Sequence, residues 1–289
     1  MAINKKINAF LEEPFPLWES DLTTDLVAAQ WESFREYRIC PENYSTAKGL
    51  YWYRKLAMPE MSLIMGTDAS DGIQLEMPQE ILSNFYEETG LEPIPIDSFD
   101  VVNIPQKLKN ALALLGQVPG MINCLTKLVK AIQVLRQDDP EIDTSHSDPQ
   151  IPFSIFVSVC EDNSLISNLR VAESILHEAM HLKLTLIEKH IDLIVPDTQE
   201  TFYSPWRDEQ RPVRGVLHGL FVFSAVSQFY SSVKSEFVAD NETSRFIKFR
   251  SNEINNEIKA IADFNNNPGL TLEGSALAET LINTQNSKL

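Results

Sequence analysis

The chain has 289 residues, 43% of them hydrophobic and 22% charged, with 10 glycines, a composition that excludes a disordered or fibrous protein and allows one or two compact units with a sizeable core. Its 24 basic and 41 acidic side chains leave a net charge of −17, which repels nucleic acid and anionic membrane surfaces. Cys40, Cys124 and Cys160 are odd in number and widely spaced, so neither a disulfide framework nor a thiolate zinc site is indicated, and a reducing compartment fits best. Acidic residues arrive at Glu12 and Glu13 before any long apolar run, so no export signal is read. The most apolar stretches, Ala111 to Leu115 and Val216 to Val226, fall short of the roughly 18–20 residues of a membrane span. The expectation is a soluble, cytoplasmic protein.

In chain order, helical spacing of Leu26, Val27, Trp31 and Phe34 predicts a helix from Asp21 to about Arg38, and a second follows from Ser45 or Thr46 to about Leu56. Pro78 opens a third through Ile81, Leu82 and Phe85, ending at Gly90. Pro105 begins a helix through Leu115, and the apolar spacing resumes after Pro119-Gly120 as a partner helix from Met121 to about Leu135. The polar, turn-rich run Gln137 to Pro149 is the expected boundary between an N-terminal helical layer, 1–139, and a catalytic region, 140–289, the two forming one compact body or two.

Ile151 to Cys160, rich in β-branched and aromatic residues, reads as a strand. Ser164 to about Lys189 is a long helix capped by Asn163 or Ser164, and Pro196 to Pro212 is irregular. Pro212 opens a helix to about Tyr230, and helices over 235–263 and 270–286 close the chain. The fold class is therefore α+β and predominantly helical, with the long helix flanked by a short strand and an antiparallel partner helix.

That long helix carries His177-Glu178-Ala179-Met180-His181. Residues four apart share a helix face one turn apart, so both imidazoles can aim at one ion, and imidazole suits Zn and Fe(II) alike. The remaining coordination decides the chemistry. A metzincin-type protease needs Gly at 184 and His at 187, where this chain has Leu184 and Ile187. A gluzincin-type protease needs a downstream Glu on a supporting helix, and Glu200 is bracketed by Pro196 and Pro205. His218, on the helix opened by Pro212, is the better third ligand, although a core histidine bonded to a backbone carbonyl has the same sequence appearance.

Gly215 and Gly219 flank His218 and permit close approach of a neighbour or ligand, while Arg207, Arg211 and Arg214 collect positive charge beside it. Guanidinium forks match carboxylates, so this cluster suits a dicarboxylate cosubstrate; pairing with Asp208 or Glu209 is the plainer alternative. His146 and His190 read as surface residues or a helix-terminal charge. Glu173, one turn before His177, reads equally as an outer-shell partner of that ring or as a solvated glutamate.

The ordered set Ile175 to Leu184, Tyr203-Ser-Pro-Trp-Arg-Asp208, Arg211-Pro212 and Gly215-Val-Leu-His-Gly219 resembles the HExxH-type peptide β-hydroxylases that accompany ribosomally made peptide natural products. The resemblance covers about Ser154 to Phe229 and does not extend into residues 1–140. It implies Fe(II) held by His177, His181 and His218, 2-oxoglutarate as cosubstrate with its distal carboxylate on an arginine of the Pro-Trp-Arg…Arg-Pro segment, and hydroxylation of a side-chain β-carbon in a precursor peptide. This set departs from the usual two-His-one-carboxylate triad. The alternatives are a zinc peptidase using Glu178 as general base and a non-catalytic peptide-binding protein with a structural metal.

Overall fold

A computed structural model describes residues 2–35, 61–65, 72–78, 80–94, 103–149, 151, 153–160, 162–233 and 241–286. The helix expected over 45–56 lies outside them. The fold is α+β and predominantly helical. It divides into two compact units, Val27–Leu182 and a second formed by Met1–Leu26 with Lys183–Leu289. Both divisions fall inside helices, α2 (Ser20–Arg35) and the long α6 (Leu165–Glu188), rather than in the polar run 137–149. A boundary at 139/140 would cut through hydrogen-bonded strand pairs, so that polar run is a loop within one unit.

The unit Val27–Leu182 is built on a sheet of order β1-β2-β3-β5-β4, with β1 (Met61–Met65), β2 (Ile73–Glu76), β3 (Ala131–Leu135), β4 (Ser145–His146) and β5 (Ser154–Ser158). Strand β3 pairs in parallel with β5 from Ala131↔Ser154 to Leu135↔Ser158, and β4 runs antiparallel to β5 with His146 opposite Phe156. The helix expected to run to Leu135 is thus corrected. α5 (Met121–Leu128) stops where Val129 turns extended, and Ala131–Leu135 is a wholly buried strand. A central parallel strand is apolar on both faces, so its run of residues carries no period to separate it from a buried helix.

The other predicted elements of this unit form close to their expected limits. α3 (Ser83–Thr89) ends at Gly90, whose φ of 68° suits a residue without Cβ. α4 (Ile104–Gly116) has Pro105 in its first turn. Leu82, Tyr86, Leu135, Ile151 and Phe156 form a core against the sheet.

At the start of α6, the Ser164 hydroxyl accepts the Ser167 N–H at 3.0 Å, and the buried Lys107 ammonium donates to the Ser167 hydroxyl at 2.8 Å and to the carbonyls of Cys160 and Asp162. The Asp162 carboxylate accepts the Ser164 N–H at 2.8 Å. Hydrogen bonding to Ser164 holds the Asp162 carboxyl below its ordinary pKa, assisted by the charges of Lys107 and Arg170, against a smaller opposing effect of burial. A carboxyl depressed on folding adds stability that is complete above its unfolded pKa of about 3.9 and is lost as pH falls through the lower folded value. Asp162→Asn is therefore expected to make the urea midpoint less dependent on pH below about pH 4. An unchanged acid limb in that variant would show that Asp162 carries none of it.

The second unit contains α1 (Ala2–Glu12), the start of α2, the last turns of α6, a hairpin of β6 (Thr201–Ser204) and β7 (Glu209–Pro212), and helices α7 (Val213–Ser232), α8 (Asn241–Ala260) and α9 (Leu272–Asn286). The hairpin corrects the irregular reading of 196–212. Its strands are short, mostly exposed and polar, so they lack the alternation that marks a half-buried strand. α7 begins directly after Pro212, and nearly its whole circumference is buried, from Val213 through Leu217, Phe221 and Phe229 to Tyr230. Among the described residues, no helix is long and apolar enough to cross a membrane.

Candidate metal centre

The first cluster lies in the unit Val27–Leu182. His177 and His181, one turn apart on α6, bring their Nε2 atoms to 3.1 Å with the ring planes 69° apart. At a metal–nitrogen distance of about 2.1 Å, two ligands at right angles lie about 3.0 Å apart and two at the tetrahedral angle about 3.4 Å. The observed spacing fits two adjacent positions on one ion, nearer the right-angled arrangement. Both rings are partly exposed while the apolar residues between and around them, Ala179, Met180 and Leu182, are buried. The α6 sequence thus presents its imidazoles at the edge of a packed helix.

Glu178 is held beside them. Its side chain is 4% exposed, and the Ser145 and Ser147 hydroxyls donate to Oε1 and Oε2, each at 2.6 Å. These are lengths of charge-assisted O–H···O⁻ bonds. Glu178 Oε1 is 3.9 Å from His177 Nε2. His146, between the serines, faces the other way against Phe85 and Phe156, and burial lowers its pKa. It is a packed ring rather than a surface residue.

The second cluster lies in the other unit. His218 is buried and its Nε2 is 3.1 Å from Glu188 Oε2; Arg214 donates to the same oxygen from Nε at 3.0 Å and from Nη2 at 2.6 Å. Burial pushes the Glu188 carboxyl up, but the hydrogen bonds and charges of His218 and Arg214 together outweigh it and hold the pKa below the ordinary value. His218 is therefore carboxylate-bonded at Nε2. Glu188 is the residue that sequence reasoning missed, although its place seven residues after His181 is two helical turns and a readable spacing.

The three arginines have different surroundings. Arg214 is committed to Glu188. The Arg211 guanidinium lies over Gly215, where a Cβ would come 3.8 Å from its Nε, and 3.7 Å from Glu209. Arg207 is exposed in the hairpin turn. The close approach expected at Gly219 is made by Trp206, whose ring would lie 2.7 Å from a Cβ there and stacks on Phe223 at 5.1 Å. A protein side chain from the hairpin, rather than a ligand, uses that space. His190 is half-buried, and burial and the neighbouring Lys189 lower its pKa.

Glu200 sits immediately before β6, exposed and without a helix of its own. Among the described residues, no group of three or more His, Cys, Asp or Glu side chains stands together as a metal-holding set. Cys124 and Cys160 are buried thiols without a disulfide, and Cys40 lies outside the described residues. Comparison of the chain with protein-family models and with curated proteins finds no match.

Proposed function

We propose that the protein is an Fe(II)- and 2-oxoglutarate-dependent oxygenase that hydroxylates a side-chain β-carbon of a ribosomally made precursor peptide in the cytoplasm. The observation that carries this reading is the 3.1 Å convergence of the His177 and His181 nitrogens, joined to the ordered sequence blocks on either side of them. His177 and His181 supply two ligands, and the resemblance implies His218 as the third. A carboxylate on the ring of a ligating histidine sets its tautomer and orientation, and Glu188 bonded to His218 is a partner of that type. Bound iron would supply the oxygen chemistry.

Arg214 holds Glu188 in place, which leaves Arg207 and Arg211 as the forks for the distal carboxylate of the cosubstrate. A net charge of −17 disfavours an acidic substrate and favours a peptide with basic flanks.

The zinc-peptidase reading assigns Glu178 as general base. Two hydroxyls bonded to that carboxylate occupy both its oxygens and fix its direction, and this favours the oxygenase. Anaerobic loading with Fe(II) and 2-oxoglutarate is expected to give a visible charge-transfer band, and turnover with the precursor peptide a mass gain of one oxygen atom. No band, with stoichiometric zinc and peptide cleavage, would overturn the proposal.

A further inference from the structure

The polar run 139–149 is fastened along α6 at two places. Arg170 donates to both Asp143 oxygens, at 2.8 and 3.0 Å, and to the Pro140 carbonyl at 2.7 Å. Two turns further along α6, Glu178 receives the hydroxyls of Ser145 and Ser147. Strand geometry explains the selection: alternate residues of an extended segment face the same way, so Ser145 and Ser147 point at α6 while His146 points at Phe85 and Phe156. The Thr144 N–H donates to the Ser158 hydroxyl at 2.9 Å and the Ser158 N–H to the Thr144 carbonyl at 2.8 Å, tying the segment to β5 as well. The run is thus a strap with a fixed register against both the sheet and the helix.

We infer that Ser145 and Ser147 are positioning residues: through Glu178 they fix the rotation of α6 at the point where it presents His177 and His181, and Glu178 serves as their anchor rather than as a base. The inference rests on the metal-centre reading above. A carboxylate gripped at both oxygens has little rotational freedom, and its neighbours His177 and, three residues on, His181 ride on the same turn of helix. Partners outside the ligand set that orient the ligands typically govern about 10–100-fold in metal affinity.

Anchor and base are separated by substitution. Glutamine retains an acceptor oxygen for one serine and presents an amide N–H to the other serine's oxygen, so Glu178→Gln keeps the anchor while removing the base. Alanine removes both. The test is Co(II) titration of the full chain, followed by d–d absorption, for wild type, Ser145→Ala/Ser147→Ala, Glu178→Ala and Glu178→Gln, each checked for cooperative thermal unfolding.

The expected result is a loss of about 10–100-fold in Co(II) affinity for the double serine variant and for Glu178→Ala, with Glu178→Gln restored close to wild type. A serine variant that binds like wild type, or a glutamine variant as weak as alanine, overturns the positioning role while leaving the metal centre intact. Wild type that binds no Co(II) overturns the metal centre and the positioning role with it. If the double serine variant does not fold, the comparison of Glu178→Gln with Glu178→Ala decides the matter.

Discussion

His181→Ala is expected to lower Fe(II) or Co(II) affinity by more than the roughly 100-fold that loss of an orienting partner produces, because it removes a ligand outright. The apoprotein should be nearly unaffected. His181 is partly exposed at the helix edge, alanine is the best helix former, and no core volume is emptied. The two effects separate in one measurement. For wild type, metal at 100 times Kd adds about 2.7 kcal/mol to unfolding stability by mass action, and for His181→Ala at the same concentration it should add almost nothing. The same holds for His177→Ala, since the ring nitrogens converge on one point and neither ring alone defines it. A variant whose metal-dependent rise in Tm equals that of wild type would remove His181 from the centre.

Lys183→Met is expected to destabilise the protein by about 1–3 kcal/mol without touching the metal ligands. Lys183 is wholly buried; its ammonium donates to the Leu17 and Glu19 carbonyls, each at 2.8 Å, and lies 4.8 Å from the centre of the Phe10 ring. Methionine matches the stem in length but donates to neither carbonyl; Glu19 O keeps the Thr23 hydroxyl at 2.6 Å, whereas Leu17 O loses its buried donor. That orphaned acceptor costs about 1–3 kcal/mol, partly offset because an ammonium no longer has to be kept from water. The segment concerned also begins α2, where the Glu19 carboxylate accepts the Leu22 N–H at 2.8 Å, so loosening it unseats a helix cap. Urea unfolding with an unchanged m-value should show the loss as a lower midpoint. A shift below about 0.5 kcal/mol would mean that the ammonium contributes only what the methylene stem already does.

Helices with one apolar stripe or a clear start signal are legible in the amino-acid sequence. Pro212 opens α7, Pro105 sits in the first turn of α4, and Gly90 closes α3 in the left-handed region, because fixed φ and absent Cβ act locally. Strand β3 and the β6–β7 hairpin are not legible there, for different reasons. Ala131–Leu135 is buried on both faces and so shows no alternation, whereas Thr201–Ser204 buries its alternate residues, Phe202 in part and Ser204, without an apolar-polar alternation in the residue types, and Glu209–Pro212 is mostly exposed. The boundary expected in the polar run 137–149 fails because polar composition marks a segment that meets water on one side, and this one faces α6 with its polar side chains on the other.

The sequence by itself determined the α+β, mainly helical class and the pairing of His177 with His181, since a four-residue spacing on a helix dictates that meeting whatever packs around it. Only the tertiary structure decided the partners: Ser145 and Ser147 on Glu178, Glu188 and Arg214 around His218, and Trp206 in the space at Gly219. Those contacts join residues from about 13 to about 33 positions apart. Helical and strand periods reach only a few residues along the chain, so no local pattern encodes them, and they form only when the elements that carry them pack.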